Sequence, residues 1–459
     1  MTASSEPFLG SSSVLLEGIS AADTGWVLVS TAMVLLMTPA LAFFYGGMVR
    51  SKNALNTMMM SYVSLGVVGV LWAVVGYSLA FAPGNAFIGG TDHVFLAGVD
   101  LEPHGSIPHL LFMAFQGTFA IITAALISGA VVERMRFGSY LAFIAAWTLL
   151  VYAPVCHWVW GGGWLAESGA LDYAGGTVVH VNAGIAAVVA ACIVGPRRDH
   201  GRQALLPHNI PFVLLGAGLL WFGWFGFNAG SALRADGIAA LAFVNTLLAP
   251  AATLVIWMTL DLRRTGKTTA IGMATGLVVG LVSITPAAGF VGPMSALAIG
   301  AIAAIPSYFA IVALSRTRLD DSLDVAAAHG VGGLVGAILV GVFARSAWGG
   351  APGLLDGNGA QVVTQLVAVV AALAYSGVMS LVLLKAISLV APLRVAARDE
   401  SRGLDVPIHG EQACSTGEGA ILIVQSEATP AEPEPEPESH PEHLPAPQPR
   451  VAEAKESAA

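Results

Sequence analysis

Residues 24–48 read TGWVLVSTAMVLLMTPALAFFYGGM and contain no charged side chain. A helix needs about 20 mostly apolar residues to cross the hydrocarbon core of a bilayer, so this run is long enough to span a membrane. Apolar windows bounded by charged or Gly/Pro-rich breaks then recur at 57–82, 108–131, 138–160, 177–195, 211–233, 238–262, 268–289, 292–314, 323–345 and 361–395. The sequence therefore predicts an all-α polytopic membrane protein with eleven transmembrane helices.

The composition supports this fold class. Hydrophobic residues make up 56% of the 459 residues and charged residues only 11%, whereas soluble domains carry about a quarter charged residues. The formal net charge is −9 and no segment forms a basic domain, so a nucleic-acid partner is not expected. Cys156, Cys192 and Cys414 are too widely spaced for a CxxC or zinc pattern, so neither a disulfide framework nor a metal centre is predicted.

Basic residues are concentrated on one side of the predicted bundle. Lys and Arg are enriched in cytoplasmic loops, and the opposite connections hold only Arg234 and Arg345. This asymmetry predicts an outer N-terminus and a cytoplasmic C-terminus. The basic side holds Arg50, Lys52, Arg134, Arg136, Arg197, Arg198, Arg202, Arg263, Arg264, Lys267, Arg316, Arg318, Arg394, Arg398 and Arg402.

The predicted organisation has four parts. Residues 1–23 form an extracytoplasmic segment without the basic start of a cleavable signal peptide, and residues 24–395 form the transmembrane domain. Residues 396–427 follow as a cytoplasmic segment. Residues 428–459 are rich in Pro and Glu, a composition typical of disorder.

A faint internal repeat links the fifth and tenth windows. Asp172 and His180 open the fifth, while Asp324 and His329 open the tenth, although the two spacings differ. The two helices run in opposite directions under the predicted topology, as they do in transporters built from inverted repeats. The sequence therefore predicts two inverted five-helix repeats plus one extra helix.

His180 and His329 are ionisable groups inside predicted spans, where such groups are costly and usually functional. Counting the helical rise places them at a similar depth, where two imidazoles can share one N–H···N hydrogen bond. Each could instead be an ordinary buried histidine, and haem ligation by the pair is a further alternative. A metal site is a weaker interpretation because no third ligand reaches that depth.

Aromatic and hydroxyl side chains gather at the predicted outer ends of the helices. Aromatic faces can hold a cation, and a serine hydroxyl can accept a hydrogen bond from an N–H group of such a cation. An interfacial aromatic belt or plain helix packing would also explain these residues, and Asp172 is either a counter-charge or an N-cap. The aromatic and hydroxyl residues are Phe115, Phe119, Trp160, Trp224, Phe227 and Ser231.

Six segments together resemble the ammonium transporter (Amt/Mep/Rh) family, in its bacterial Amt branch, over about 24–412. They are FFYGGMVRSKN (43–53), FQGTFAIITAALISGAVVERMRF (115–137), HWVWGGGWL (157–165), ALDYAGGTVVHVNAG (170–184), WFGFNAGSA (224–232) and LDVAAAHGVGG (323–333). The resemblance implies a homotrimer in the plasma membrane with a conduction path for ammonium, or its analogue methylammonium, through each subunit. No cofactor is implied.

The resemblance also implies roles for matching residues. The outer recruitment site would comprise Trp160, Phe119 and Ser231 with Asp172 nearby, and the gate would comprise Phe119 and Phe227 with Phe115 adjacent. The pore would be lined by His180, His329, Trp224 and Thr285.

The segment ESRGLDVPIHGEQA (400–413) resembles the part of bacterial members that responds to PII signal proteins, although Cys414 replaces a tyrosine often found there. Two rival functions remain at this point: an ammonium sensor that signals through its tail, and an unrelated membrane enzyme that uses the His pair and Asp172. The residues do not decide between net ammonia and net ammonium transport.

Overall fold

The structure is a computed structural model that describes residues 18–413, and membrane-length helices dominate it. Ten helices in this part of the chain are long and apolar enough to span a bilayer, and the shorter apolar helix Ala270–Ile284 completes the eleven that were predicted. In chain order they are α1 (Ala21–Met48), α2 (Ser51–Phe81), α3 (His109–Ser128), α4 (Phe137–Glu167), α5 (Gly176–Val194), α6 (Ile210–Gly230), α7 (Gly237–Thr265), α8 (Ala270–Ile284), α9 (Pro293–Leu314), α10 (Ala326–Phe343) and α11 (Ala360–Val390).

Several helix ends differ from the predicted windows, and those of α4 and α11 are described here. In α4 the regular helix ends at Val159, and one further helical turn, Trp164–Glu167, follows. The last window, 361–395, was too long for one crossing, and α11 ends at Val390. Ala391 is extended there because it precedes Pro392, whose ring disfavours a helical conformation in the residue before it.

The helices form two inverted five-helix repeats, α1–α5 and α6–α10, with α11 as the extra helix. α1 packs along α6, while α11 packs against α4, α5 and α10. The connection between α2 and α3 carries a small antiparallel hairpin of β1 (Pro103–His104) and β2 (Ile107–Pro108).

Glycines allow α1 and α6 to lie unusually close together. A Cβ atom at Gly223 would come within 2.8 Å of the carbonyl oxygen of Met33, and one at Gly216 would overlap the backbone of Phe44. Small residues at such crossings let membrane helices gain van der Waals contact that larger side chains would prevent. The join between the two repeats therefore depends on glycine.

One end of the bundle, called here the arginine end, holds a buried ion-pair network. Glu133 is fully buried and accepts hydrogen bonds from Arg50, from Asn53 at 2.9 Å and from Arg197 at 2.9 Å. Arg197 also pairs with Asp320 at 2.9 Å. Burial of Asp320 would raise its pKa, but hydrogen bonds and charge from Arg197 outweigh this and lower the pKa to about 2.

Two short helices, α12 (Ala397–Arg402) and α13 (Asp405–His409), dock on the arginine end. Asp405 accepts hydrogen bonds from the backbone N–H groups of Leu55 and Asn56, at 3.1 and 2.8 Å, and so caps the start of α2. Leu404 donates its backbone N–H to Asn53 at 2.8 Å. Cys414, the rest of the predicted 396–427 segment and the Pro/Glu-rich tail lie outside the described residues, as do residues 1–17.

Candidate functional site

His180 and His329 meet in the centre of the bundle. Their Nδ1 atoms lie 3.2 Å apart, and the side chains are almost completely buried. The ring planes are nearly parallel, with centroids 5.3 Å apart. Only one of the two Nδ1 atoms can carry the shared proton, so one imidazole donates and the other accepts. The predicted contact between the two side chains is confirmed.

Local backbone geometry explains this contact. Both helices begin with a widened π-helical turn, Gly176–Val181 in α5 and Ala326–Val331 in α10, and each turn contains its histidine. Such turns are rare and often occur at functional sites. The helices cross where Gly184 faces Gly330, and a Cβ at Gly184 would overlap the Cα of Gly330. The glycine crossing thus brings the two histidines side by side.

Asp172 caps the first turn of α5. Its carboxylate accepts four backbone N–H groups, those of residues 175–178, at distances between 2.6 and 3.0 Å. A carboxylate offers about four lone-pair sites, so these bonds occupy it fully. The N-cap interpretation is confirmed, and any influence of Asp172 on a nearby cation acts through its charge rather than through contact.

The counterpart of Asp172 in the second repeat is Asp321, and the predicted choice of Asp324 was wrong. Asp321 accepts a hydrogen bond from the N–H of Ala326, the first residue of α10, at 2.6 Å. Asp321 precedes His329 by eight residues, the spacing that also separates Asp172 from His180. Asp324 has a left-handed backbone with φ 59°. The correction therefore strengthens the relation between the two repeats.

A narrow cavity of about 10 Å³ adjoins the histidine pair. This is room for a single molecule the size of water. Apart from the two imidazoles and the indole of Trp224, the lining side chains are aliphatic, Met or Phe. Trp224 donates its indole N–H to the hydroxyl of Thr285 at 2.9 Å. Thr285 is not among the lining residues, and it acts on this cavity by holding Trp224.

Two phenylalanine rings in contact, tilted by 34° relative to each other, close the cavity towards the end of the bundle opposite the arginine end. The rings of Phe119 and Phe227 have centroids 4.3 Å apart, and both residues are buried. Phe227 lines the narrow cavity, whereas Phe119 lines a wider opening beyond it. Phe115 packs edge-on against Phe119 at 5.0 Å and lines neither space, so it supports the pair from behind.

The wider opening, called here the vestibule, has a volume of about 300 Å³. The ring of Trp160 stands perpendicular to that of Phe119, with centroids 5.9 Å apart, and its N–H donates to the backbone oxygen of Asp172. Ser231 donates its hydroxyl hydrogen to the carbonyl of Phe227 at 2.8 Å, which leaves oxygen lone pairs to accept a bond. The lining residues are Phe81, Phe112, Gln116, Phe119, Val159, Trp160, Tyr173, Ser231 and Leu233.

Sequence reasoning missed several vestibule residues, including Gln116 and Tyr173. Gln116 precedes Phe119 by three residues in α3, which puts both on the same helix face, so helical spacing could have found it. Tyr173 directly follows Asp172, but its place in the wall depends on packing between elements. Within residues 18–413, no group of three or more His, Cys, Asp or Glu side chains could hold a metal ion.

A model of the Ammonium Transporter Family matches residues 25–414, which is nearly all of the chain between its two terminal segments. The chain belongs to this family. It is therefore a multi-pass membrane transporter of ammonium rather than an enzyme. The twin imidazoles, the phenylalanine pair and the vestibule described above thus lie in an ammonium transporter.

Individual relatives agree with this assignment. The chain is 47% identical to the ammonium transporter of Bacillus subtilis over 85% of this chain and 98% of that protein. It is 49% identical to the ammonium transporter of Aquifex aeolicus over 85% and 93% of the two chains. Among solved structures it is similar to Saccharomyces cerevisiae Mep2, with a TM-score of 0.80 and 36% identity over 85% of this chain and 91% of that one.

Proposed function

We propose that each subunit conducts ammonium-derived nitrogen from the vestibule, past the phenylalanine pair and through the narrow cavity, to the two imidazoles. The observation that carries this proposal is the order of these features. An opening suited to a cation leads through a closed aromatic pair into a dry space for one small molecule. That order fits a substrate that enters charged and passes the centre neutral.

The vestibule would recruit ammonium by two kinds of contact. The faces of Trp160 and Phe119 attract a cation, by about 0.5–2 kcal/mol for each ring depending on desolvation. The oxygen of Ser231 accepts one N–H bond because its own hydrogen is already committed to Phe227. Asp172 adds negative charge close by through its buried carboxylate.

Deprotonation would occur at the phenylalanine pair. A bare cation is expensive in an apolar interior, and the cavity beyond Phe227 offers only two imidazoles and one committed indole N–H. Neutral ammonia carries no such cost. His180 and His329 together present one ring nitrogen that donates and one that accepts, so ammonia can pass between hydrogen bonds of both kinds. The proton either returns or crosses separately along polar groups.

The orientation, assembly and regulation belong to the same proposal. The excess of Lys and Arg at the arginine end supports a cytoplasmic placement of that end in the plasma membrane, with the vestibule outside. We infer a homotrimer with one path in each subunit. The docked helices α12 and α13 belong to the segment that we propose as the PII-responsive region.

The decisive experiment is uptake of radiolabelled methylammonium by proteoliposomes, with wild type beside His180→Ala. We expect uptake by the wild type and lost or less selective transport by the variant. His200→Ala, near the arginine end, is the matched control and should leave uptake unchanged. Unaltered transport in His180→Ala would contradict the role of the pair.

The same preparation separates the rival functions. A pure ammonium sensor would bind methylammonium without any flux. The electrical current that follows an ammonium pulse across the proteoliposome membrane measures whether charge moves with nitrogen. A current supports net ammonium transport, and its absence from protein that is active in uptake supports net ammonia transport.

A further inference from the structure

Three histidines gather beside the vestibule, where the connection between α2 and α3 folds back on the start of α3. The ring of His109, the first residue of α3, lies next to the rings of both His104 and His93, with centroid distances of 5.1 and 5.2 Å. These three residues are called here the histidine trio. Since no cluster of this kind within residues 18–413 is arranged to hold a metal ion, the trio is left with protons as its ligands.

The trio ties the β1–β2 hairpin to the vestibule wall. His104 belongs to β1 and stacks on Phe112, with centroids 4.0 Å apart and ring planes inclined by 26°. Phe112 is a lining residue of the vestibule. The backbone N–H of His109 donates to the carbonyl of Glu102 at 2.9 Å, which closes the base of the hairpin onto α3. The position of the hairpin therefore depends on contacts that imidazole rings make.

The hydrogen bonds around the trio suit uncharged rings. The hydroxyl of Tyr77 lies 2.6 Å from Nε2 of His109. A neutral His109 accepts the tyrosine hydrogen there, whereas a protonated ring would have to donate in the opposite direction. Nδ1 of His93 lies 3.0 Å from the carbonyl oxygen of Ala97, which can only accept, so this nitrogen carries the hydrogen of the neutral ring. The contacts are thus complete with one hydrogen on each of these two rings.

Charging more than one ring of the trio is costly. Like charges about 5 Å apart repel one another, and each end of the trio lies at that distance from His109. Partial burial lowers the pKa of His104 below its ordinary value, and the nearby His93 lowers it further. The closed arrangement therefore favours neutral imidazoles.

The other groups that face the trio compensate a second charge only weakly. Residues 77–112 contain no Lys or Arg. Asp23, on the helix α1 that the hairpin also contacts, already accepts the backbone N–H of Ala235 at 2.9 Å. The acidic side chains of the connection are exposed, so water and salt screen their charge; they are Asp92, Asp100 and Glu102.

We propose that the histidine trio is a proton-sensitive latch, which holds the hairpin on the vestibule wall while its rings are neutral and releases the hairpin in acid. Release exposes the imidazoles to water, where two or three of them can be charged at once. It also removes the ring of His104 from the face of Phe112, so the vestibule wall loosens and uptake falls. That the latch senses the outside rests on the orientation proposed above, whereas its response to acid does not.

The difference in bound protons gives the direction and the size of the response. The closed hairpin binds fewer protons than the open one, so its stability is fully present above the ordinary imidazole pKa of about 6.5 and is lost as the pH falls below that value. Each proton that the closed form excludes makes the open form up to about thirtyfold more populated at pH 5.0 than at pH 7.5.

Hydrogen–deuterium exchange of the protein in nanodiscs tests the latch without any transport. The amides of His109 and Leu110 donate to the carbonyls of Glu102 and Asp100, so both report opening of the hairpin. After correction for the pH dependence of chemical exchange, we expect both amides to exchange about fivefold to thirtyfold faster at pH 5.0 than at pH 7.5. Equal corrected rates at the two pH values would overturn the inference.

Two variants fix the state of the latch. His104→Phe keeps a ring on Phe112 that cannot be charged, so its acid response should be clearly smaller than that of the wild type. His104→Lys is charged throughout this range and should exchange at pH 7.5 about as fast as the wild type does at pH 5.0. His200→Ala, near the arginine end, is the control and should respond as the wild type does.

His104→Gln replaces His104→Phe if that variant does not fold, since glutamine also stays neutral. A full acid response in folded His104→Phe or His104→Gln protein would contradict the latch. Uptake of radiolabelled methylammonium, with equal pH inside and outside the proteoliposomes, then links the latch to transport. From pH 7.5 to pH 5.0 uptake should fall more in the wild type than in His104→Phe, and equal falls would count against a loosened vestibule. Wild-type protein without uptake at either pH would contradict the transport function itself, which the exchange measurement does not depend on.

Discussion

Buried oxygen atoms differ in their hydrogen-bond pairing between the two ends of the bundle. In the arginine-end network every carboxylate oxygen of Glu133 and Asp320 accepts at least one hydrogen bond. At the vestibule, oxygens of Gln116 and Tyr173 have no partner among the described residues. Complete pairing of buried charges fixes the arginine end, whereas buried oxygens in the vestibule wall are left without such bonds among these residues. The stabilising ion pairs are thus concentrated at the arginine end.

The strongest test of this comparison is to break the paired end. Glu133→Ala should destabilise the protein by about 3–5 kcal/mol, because the guanidinium groups of Arg50 and Arg197 each lose one of their two carboxylate partners and keep only Asp199 and Asp320. Unfolding of the purified variant in detergent measures the effect. Arg234→Ala removes an exposed pair with Asp236 and should cost at most about 1 kcal/mol. Similar losses of stability in the two variants would show that the buried network stabilises the protein no more than an exposed ion pair does.

A smaller but still large effect is expected from Asp172→Ala. Four backbone N–H groups at the start of α5 would lose their acceptor, and loss of an N-cap alone costs about 0.5–2 kcal/mol. We expect a loss of at least about 2 kcal/mol in detergent unfolding because four donors are affected. Asp324→Ala is the comparison in the other repeat. It should cost less than Asp321→Ala, and the reverse order would contradict the assignment of Asp321 as the counterpart.

The lowered pKa of Asp320 predicts how acid weakens the arginine end. Its pKa falls from the usual 3.8 to about 2 in the folded protein, so folding favours the ionised form. The stabilisation is fully present above about pH 5 and is lost as the pH falls through 2, by about 2 kcal/mol. Unfolding measured across this range should show a weaker pH dependence in Asp320→Asn. An identical dependence in variant and wild type would remove Asp320 as its source.

The smallest effect is expected at Thr285, whose hydroxyl holds the indole of Trp224 in the cavity wall. Thr285→Val removes the acceptor of the Trp224 indole N–H, worth about 1 kcal/mol. Methylammonium uptake should fall several-fold as the indole loses its fixed place beside the cavity. Thr259→Val is the control, since its hydroxyl bonds only the carbonyl of Val255 in its own helix. Equal uptake in the two variants would show that Thr285 does not contribute to transport.

The eleven-helix architecture could be predicted from the sequence because the length of each apolar run and the charged residues between runs are local properties of the chain. The sequence also predicted that His180 and His329 meet, since the helical rise sets their depth. The prediction took Asp324 because it lies at the start of the tenth apolar window, although the eight-residue spacing before His329, equal to that between Asp172 and His180, already indicated Asp321. The sequence could not reveal the vestibule place of Tyr173, which depends on contacts with Pro286 and Phe290 from a distant helix end.

The meeting of Gly184 with Gly330 has a consequence for re-engineering the pore. Because backbone touches backbone at that point, the gap between positions 180 and 329 is set by main-chain contact and hardly depends on which side chains occupy them. Other residue types can therefore be introduced at these two positions while the spacing of the two backbones stays nearly constant, so that the width of the passage follows the size of the introduced side chains. Positions 180 and 329 are therefore suitable sites for substitutions that change which molecules the protein admits.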